Sequence, residues 1–250
     1  MPSLDTFMLF RHAIELTELV RSHGISLEYG ENFNAFSTAT RRQPNRQHIN
    51  PAFDPERCEL PTDCGFWVIG HDELGEIVHT QAIRLLDFEG GNLEQHFQRR
   101  LWDYRTHGVD FDPHRCHFFL SPDARNIAGI VTYHGELWLK GGVGGYRDGT
   151  LVTILTRLML LKAFLRYSPD FMIGLQSPVM SFRGLGIREG YMRTEQRTIV
   201  WALRGSSDFQ EDWLVWMNKE EAEFNLRVPA SSLLKHFGGQ KLDAARADSA

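Results

Sequence analysis

The stretch ELWLKGGVGGYRDGTLVTIL, residues 136–155, passes from a strand-like run through glycines into a continuous apolar helix. A strand, a glycine-rich turn and a helix in that order can present free backbone amides to a phosphate at the helix N-terminus. The same cluster also reads as a tight turn needing several positive φ angles, and the glycines alone favour neither reading. No Gly-Lys-Ser/Thr follows, so this is not a P-loop; Arg147 stands where a dinucleotide fingerprint would place its third glycine after Gly142 and Gly144.

Working outward, TLVTILTRLMLLKAFLRY (150–167) repeats Leu151, Ile154, Leu155, Leu158, Leu161 and Leu165 at helical spacing, which predicts a mostly buried helix ended by Ser168 and Pro169. NIAGIVTYHGELWLK (126–140) predicts a strand in which Gly135 marks a bulge or a turn. FMIGLQ (171–176) predicts a short buried strand, VMSFRGLGIREGY (179–191) a short helix and turn, and RTIVWALR (197–204) another strand. GFWVIG (65–70) and EIVHTQAIRLLDF (76–88) flank HDELG and read as an antiparallel pair. A first helix over 7–24 takes Phe7, Phe10, Ile14, Leu16, Leu19 and Val20 as its apolar face and Gly24 as its C-cap. Asn92 to Trp102 reads as helix and His107 to Pro122 as irregular chain. Ser37 to Pro61 is polar and Pro-punctuated, an ordered or mobile loop. Beyond Gly205 the spacing predicts a Trp-rich amphipathic helix with Trp213 and Trp216, then a short helix from Ser231 to Phe237 and a disordered tail over 238–250.

With 250 residues, 42% of them apolar, the chain can bury a sizeable core. No linker composition or internal repeat divides it, so one domain is expected over 1–237: a helix and loop to residue 64, a core over 65–204 and a helical extension over 205–237. A net charge of −5, from 27 basic and 32 acidic residues mixed along the chain, gives no field suited to nucleic acid. The three cysteines, Cys58, Cys64 and Cys116, match no zinc or redox spacing, and an odd count cannot complete a disulfide framework. No long apolar run or leader-like N-terminus is present, so the expected location is cytoplasmic, with no membrane partner.

The order of these elements resembles the GNAT acyltransferases: strand hairpin, long strand, pyrophosphate loop, buried helix, strand, and a short helix ending in Gly-Tyr or Gly-Phe. The matching segments are Gly65 to Phe88, Gly129 to Lys140, Gly141 to Gly149, Thr150 to Tyr167, Phe171 to Gln176, and Val179 to Tyr191, about half the chain. Against the family's Gln/Arg-x-x-Gly-x-Gly/Ala loop, YRDGTL puts Tyr146 first, keeps Gly149 and has Leu151 last; Asp148 stands where a pyrophosphate would sit, or caps the helix. Gly190 and Tyr191 match the terminal pair, and the tyrosine often found a few residues earlier is absent. The resemblance implies an α/β (α+β) fold with a mixed, mostly antiparallel sheet flanked by helices, acyl-CoA N-acyltransferase-like. It implies acyl transfer from acetyl-CoA or a longer acyl-CoA to an amine of a small molecule. The donor would lie against Leu139, Gly141, Val143, Gly144, Gly145, Arg147, Gly149 and Thr150, with amides near Leu139 to Gly141 polarising the thioester carbonyl.

Such a transfer needs a neutral amine, a polarised carbonyl and a protonated leaving thiolate. Glu136 and His134 lie on the strand before the loop as candidate bases, and Tyr133, Tyr146 and Tyr191 are candidate acids. Asp54, Asp63 and Arg84 also match acidic and basic positions of acyl-homoserine-lactone synthases, which are similar in core and would bring an acyl carrier protein as donor. A noncatalytic module that binds an acyl thioester or a protein partner is the alternative. Arg41, Arg42 and Arg46 could receive a ribose phosphate or an acidic substrate or simply form a solvated loop face. Asp110, Asp112, His114, Cys116 and His117 fit no named metal spacing, and no metal site is expected. The Ser37 to Pro61 loop and the segment bearing Trp213 and Trp216 are placed to shape specificity.

Overall fold

Phe66 and Val68 point to one side of a strand and Trp67 and Ile69 to the other, and all four are buried. The sheet to which they belong is therefore covered on both faces. The computed structural model describes residues 6–43, 46, 48–61, 63–142, 145–147, 149–229 and 232. In chain order its elements are α1 (Thr6–Ser22), β1 (Ser26–Gly30), α2 (Phe33–Arg41), β2 (Gly65–His71), β3 (Ile77–Leu86), α3 (Leu93–Arg100), β4 (His117–Phe118) and α4 (Pro122–Arg125). They continue with β5 (Val131–Leu139), α5 (Gly149–Tyr167), β6 (Phe171–Gln176), α6 (Pro178–Phe182), α7 (Leu185–Glu189), β7 (Arg193–Ala202), β8 (Phe209–Asn218) and α8 (Lys219–Leu226).

The strands form one sheet in the order β1-β2-β3-β5-β6-β8-β7-β4. Every neighbouring pair is antiparallel except β5 and β6. On one face, Leu9, Leu16 and Val20 of α1 and the apolar side of α5 pack with Phe66, Val68, Met172, Val215 and Met217. On the other, Phe33 and Phe36 of α2, Phe53 and Phe97 pack with Trp67, Tyr133, Ile173 and Trp216. The expected class, a mixed and mostly antiparallel sheet flanked by helices, is what the chain forms.

The hairpin, the strand before the glycines, the helix after them and the strand over 171–176 stand where the sequence places them. Gly135 lies beside a bulge rather than a turn: Ala82 pairs with Gly135 and Thr80 with Trp138, so Gln81 faces both Glu136 and Leu137.

Three readings are corrected and one strand is added to them. Trp213 and Trp216 sit on β8, not on a helix; residues 213–217 are buried in succession because β8 is an inner strand covered on both faces, which hides the period of two. The polar segment from Ser37 begins inside α2, which is capped by Asn32 accepting from the Asn34 and Ala35 amides at 3.0 and 3.3 Å. Its buried face uses Ser37 and Thr40 beside Phe33 and Phe36, so little apolar period is visible. Strand β1 had no signal in SLEYG, whose residues are exposed or half-buried at the sheet edge. On α1 the buried stripe is Leu9, His12, Leu16 and Val20, while Phe7, Phe10 and Ile14 face outward. The helix expected from Ser231 to Phe237, apart from Ser232, and the tail over 238–250 lie outside the described residues. Among the described residues no helix is long and apolar enough to cross a membrane.

Candidate active site

Strands β5 and β6 pair through four rungs, from Val131 with Phe171 to His134 with Gly174. Beyond that last rung they part: β5 keeps pairing with β3 as far as Leu139, while β6 keeps pairing with β8 as far as Gln176. The result is a fork in the middle of the sheet, and the glycine segment follows at the end of its β5 arm.

The bulge steers that arm. Glu136 takes φ of 59°, a left-handed conformation that costs a non-glycine residue about 1–2 kcal/mol. Its carboxylate is buried and accepts from Arg46 Nη2 at 2.6 Å and from the Asn50 amide at 2.7 Å. Its carbonyl accepts from Thr80 Oγ1 at 2.9 Å, and the Thr80 hydroxyl in turn accepts from Arg46 Nη2 at 3.1 Å. Burial raises the Glu136 pKa, against the opposing pull of the Arg46 guanidinium and the Asn50 amide. Both carboxylate oxygens are thus engaged in holding the bend.

At the last rung, Gly174 lets a tyrosine reach the strand. A Cβ there would stand 3.3 Å from the Tyr191 hydroxyl, which lies 3.3 Å from His134 Nδ1 and 3.3 Å from the Ile173 carbonyl. His134 is 4% exposed, its Nε2 has no hydrogen-bond partner, and burial lowers its pKa to about 4, so the ring is neutral. Burial also holds the Tyr191 phenol well above its ordinary pKa, with Glu189 and Tyr133 adding to the effect. On the β6 arm, Gln176 donates to buried Glu189, whose pKa burial pushes up to about 8. At neutral pH that carboxyl carries its proton and no charge.

The loop itself is tight. Gly142 takes φ of 90°, Gly145 donates to the Gly142 carbonyl at 3.0 Å, and Tyr146 donates to the Lys140 carbonyl at 2.8 Å. A Cβ on Gly145 would come within 2.6 Å of the Gly141 backbone. Arg147 folds back over Gly141 and donates Nε to the Leu139 carbonyl at 2.7 Å. Tyr146 packs against the core beneath α1 and α5. Helix α5 starts at Gly149 and Thr150. Val143, Gly144 and the Asp148 cap lie outside the described residues.

Other predicted groups gather here only in part: Asp54 lies near enough to Glu136, and Arg84 to Tyr133, to act on them electrostatically. Arg41 pairs with Asp54 at 3.2 Å and Glu56 at 2.6 Å, while Arg46 is buried on Glu136. Arg84 donates to the Ala52 carbonyl and Cys58 Sγ, while Asp63 faces Arg166 at 3.5 Å. Asp110 pairs with Arg204, and Cys116 and His117 turn to backbone carbonyls. Among the described residues no group of three or more metal-ligating side chains could hold an ion, and all three cysteines are free. Sequence reasoning passed over Arg46 as a bulge holder, Gln176 and Glu189, because no pattern links partners 90 or 13 residues apart.

The single parallel pair that forks, followed by a glycine loop and a buried helix, decides the architecture. It matches the mixed, mostly antiparallel sheet flanked by helices that the sequence resemblance implies. The chain is similar to solved structures of the AHL synthase LasI (9% identity, covering 81% of this chain and 93% of that one, TM-score 0.43) and of TofI in an apo form (13%, 82% and 98%, 0.42). It is also similar to an acetyltransferase of the GNAT family from Streptococcus pneumoniae (8%, 78% and 99%, 0.39). No protein-family model matches the chain, and no curated protein matches it.

Two outcomes are expected from these groups. Glu136→Gln leaves the Arg46 guanidinium buried without its counter-charge and should cost about 3 kcal/mol or more, read as a lower urea midpoint at unchanged slope; adding Arg46→Met should restore part of it. Glu189 binds its proton more tightly when folded, near pH 8, than at its ordinary 4.5, so its stabilising contribution is complete below 4.5 and lost as pH rises through 8. Between pH 6.5 and 8 the unfolding free energy measured relative to Glu189→Gln should fall by about 2 kcal/mol; the comparison cancels the buried histidines, whose unfolded rings lose protons in the same window.

Proposed function

We propose that the chain is an N-acyltransferase that accepts an acyl thioester, acetyl-CoA or a longer acyl-CoA, and passes the acyl group directly to an amine of a small molecule. The observation that carries this reading is the fork between β5 and β6 with the Gly141 to Thr150 segment at its mouth. The acylated arm of the donor enters between the strands, and its phosphates meet the loop and the N-terminus of α5, with Leu139, Gly141, Gly145, Arg147, Gly149 and Thr150 around them. Arg147 leaves the Leu139 carbonyl to meet phosphate, a charge-assisted exchange that favours the bound state.

Tyr191 sits at the base of the fork and donates a hydrogen bond to the departing sulfur. Its raised pKa keeps the phenol protonated, so it stabilises the developing thiolate, which takes up the proton that the attacking amine releases. Neutral His134 stands behind it. Glu136 holds the strand bend, and the protonated Glu189 keeps the β6 arm free of negative charge that would repel an anionic donor. Tyr146 packs the loop onto the core. The amine then reacts from its neutral form, and most of the rate comes from holding donor and acceptor together, which can supply about 7–11 kcal/mol. A cytoplasmic location, where acyl-CoA is available, belongs to the same reading.

The full engagement of the Glu136 carboxylate favours one second reading, a module that binds the thioester without turnover. An acyl carrier protein is the alternative donor.

Isothermal titration with acetyl-CoA and a long-chain acyl-CoA is expected to show binding that Gly149→Asp abolishes. In a screen of small amines, Tyr191→Phe should lower kcat about tenfold or more with little change in KM. Affinity without turnover would leave the noncatalytic module, and no affinity for either donor would defeat the acyl-CoA reading.

A further inference from the structure

Helix α1 turns much of its apolar surface away from the sheet: Phe7, Phe10 and Ile14 are 75%, 56% and 64% exposed. Phe10 and Ile14 form one bank of a cavity of about 640 Å³ between α1, β1, β2 and the later turns of α5. Phe66, Leu158 and Leu165 add to its apolar lining, and Tyr29, Lys162 and Arg166 stand along it with two carboxylates, Glu18 and Glu31, each already paired, with Arg21 and Arg166. Its volume falls within the range of small-molecule sites, which are mostly apolar with a few placed polar groups. Lys162 lies 13 residues beyond Gly149 on α5, about 20 Å along the helix from the glycine loop, so the cavity is not part of the fork.

The charges along this cavity are not equivalent. Arg166 is paired with Glu31 at 2.5 Å. Lys162 Nζ lies 3.3 Å from the centre of the Tyr29 ring, and among the described residues no carboxylate pairs with it. Burial lowers the Lys162 pKa, and Arg166 adds to the effect. A half-buried ammonium beside an apolar cavity, satisfied only by a ring face, is poorly solvated, and an incoming anion would restore what burial removes.

We infer that this cavity binds a single-chain amphiphile with an anionic head, of the fatty-acid carboxylate class, with its tail along Phe10, Ile14 and Leu158 and its head on Lys162. A neutral alcohol of the same length would fill the apolar part and leave Lys162 as it is. A cationic head would be repelled by Lys162 and Arg166. The inference stands apart from the acyl-transfer reading, since the two sites share no residue.

The test uses the full chain and sodium dodecanoate below its micellar range, titrated calorimetrically beside dodecanol and dodecyltrimethylammonium. Saturable binding of one dodecanoate is expected, weakened about tenfold or more by Lys162→Met or by exchange of the carboxylate for the alcohol. Ile14→Asp, a change at an exposed position, should abolish it while the thermal midpoint and acetyl-CoA affinity stay unchanged. Absence of saturable dodecanoate binding overturns the inference, as does equal binding of dodecanol or of dodecanoate to Lys162→Met. Preference for phosphatidylglycerol vesicles over free dodecanoate, or self-association through α1 that Ile14→Asp abolishes, would assign the face to a membrane or a second copy and overturn it as well.

Discussion

The guanidinium of Arg46, reaching from a polar segment into the sheet, holds Glu136 in a left-handed conformation that an acidic residue does not adopt cheaply. That bend is where β5 stops being the parallel partner of β6 and becomes one arm of a fork. The ion pair is buried on both sides, with 4% and 6% of the two side chains exposed, so each charge depends on the other and on the Asn50 amide and Thr80 hydroxyl around them. The strand departure, the placement of the glycine loop and the direction in which α5 leaves all follow from a kink that a regular ladder would not make. Phe53 reinforces it from below: a Cβ on Gly135 would come within 2.5 Å of its ring, so β5 lies close against that aromatic layer.

The fork matters chemically because the groups along it are stripped of charge. His134 is neutral, Tyr191 keeps its proton and Glu189 is protonated at neutral pH, each because burial penalises the charged form. The interior of the fork is thus polar without being ionic, an environment in which a neutral thioester can lie and a hydrogen bond to developing charge is strong. The one charged pair at the bend, Arg46 on Glu136, is self-compensating, and other cationic groups stand apart, at Arg147 on the loop and at Lys162 and Arg166 on the far turns of α5. This division separates the fork from the α1 cavity in kind as well as in place.

The legible parts of the chain were those whose burial is one-sided or continuous. GFWVIG and EIVHTQAIRLL announced a hairpin through a short turn, and Leu151 to Leu165 announced α5, because local spacing carries that information. Strand β8 was misread because Trp213 and Trp216, three apart, imitate a helical face when both sides of an inner strand are buried. Helix α2 was missed because Ser37 and Thr40 take core positions that polar residues rarely announce. Order along the chain pointed to the loop and to Tyr191. The pairing that occupies Glu136 was not legible, because it joins residues 90 positions apart through a segment with no period of its own.

The most direct measurement is amide hydrogen exchange on the full chain with and without saturating acetyl-CoA. Added protection confined to the β5 arm over 135–139, the loop and first turn of α5, and the β6 arm at 175–176 is the expected result. Protection elsewhere with no change in those segments would contradict the assignment of the fork as the acyl-thioester site.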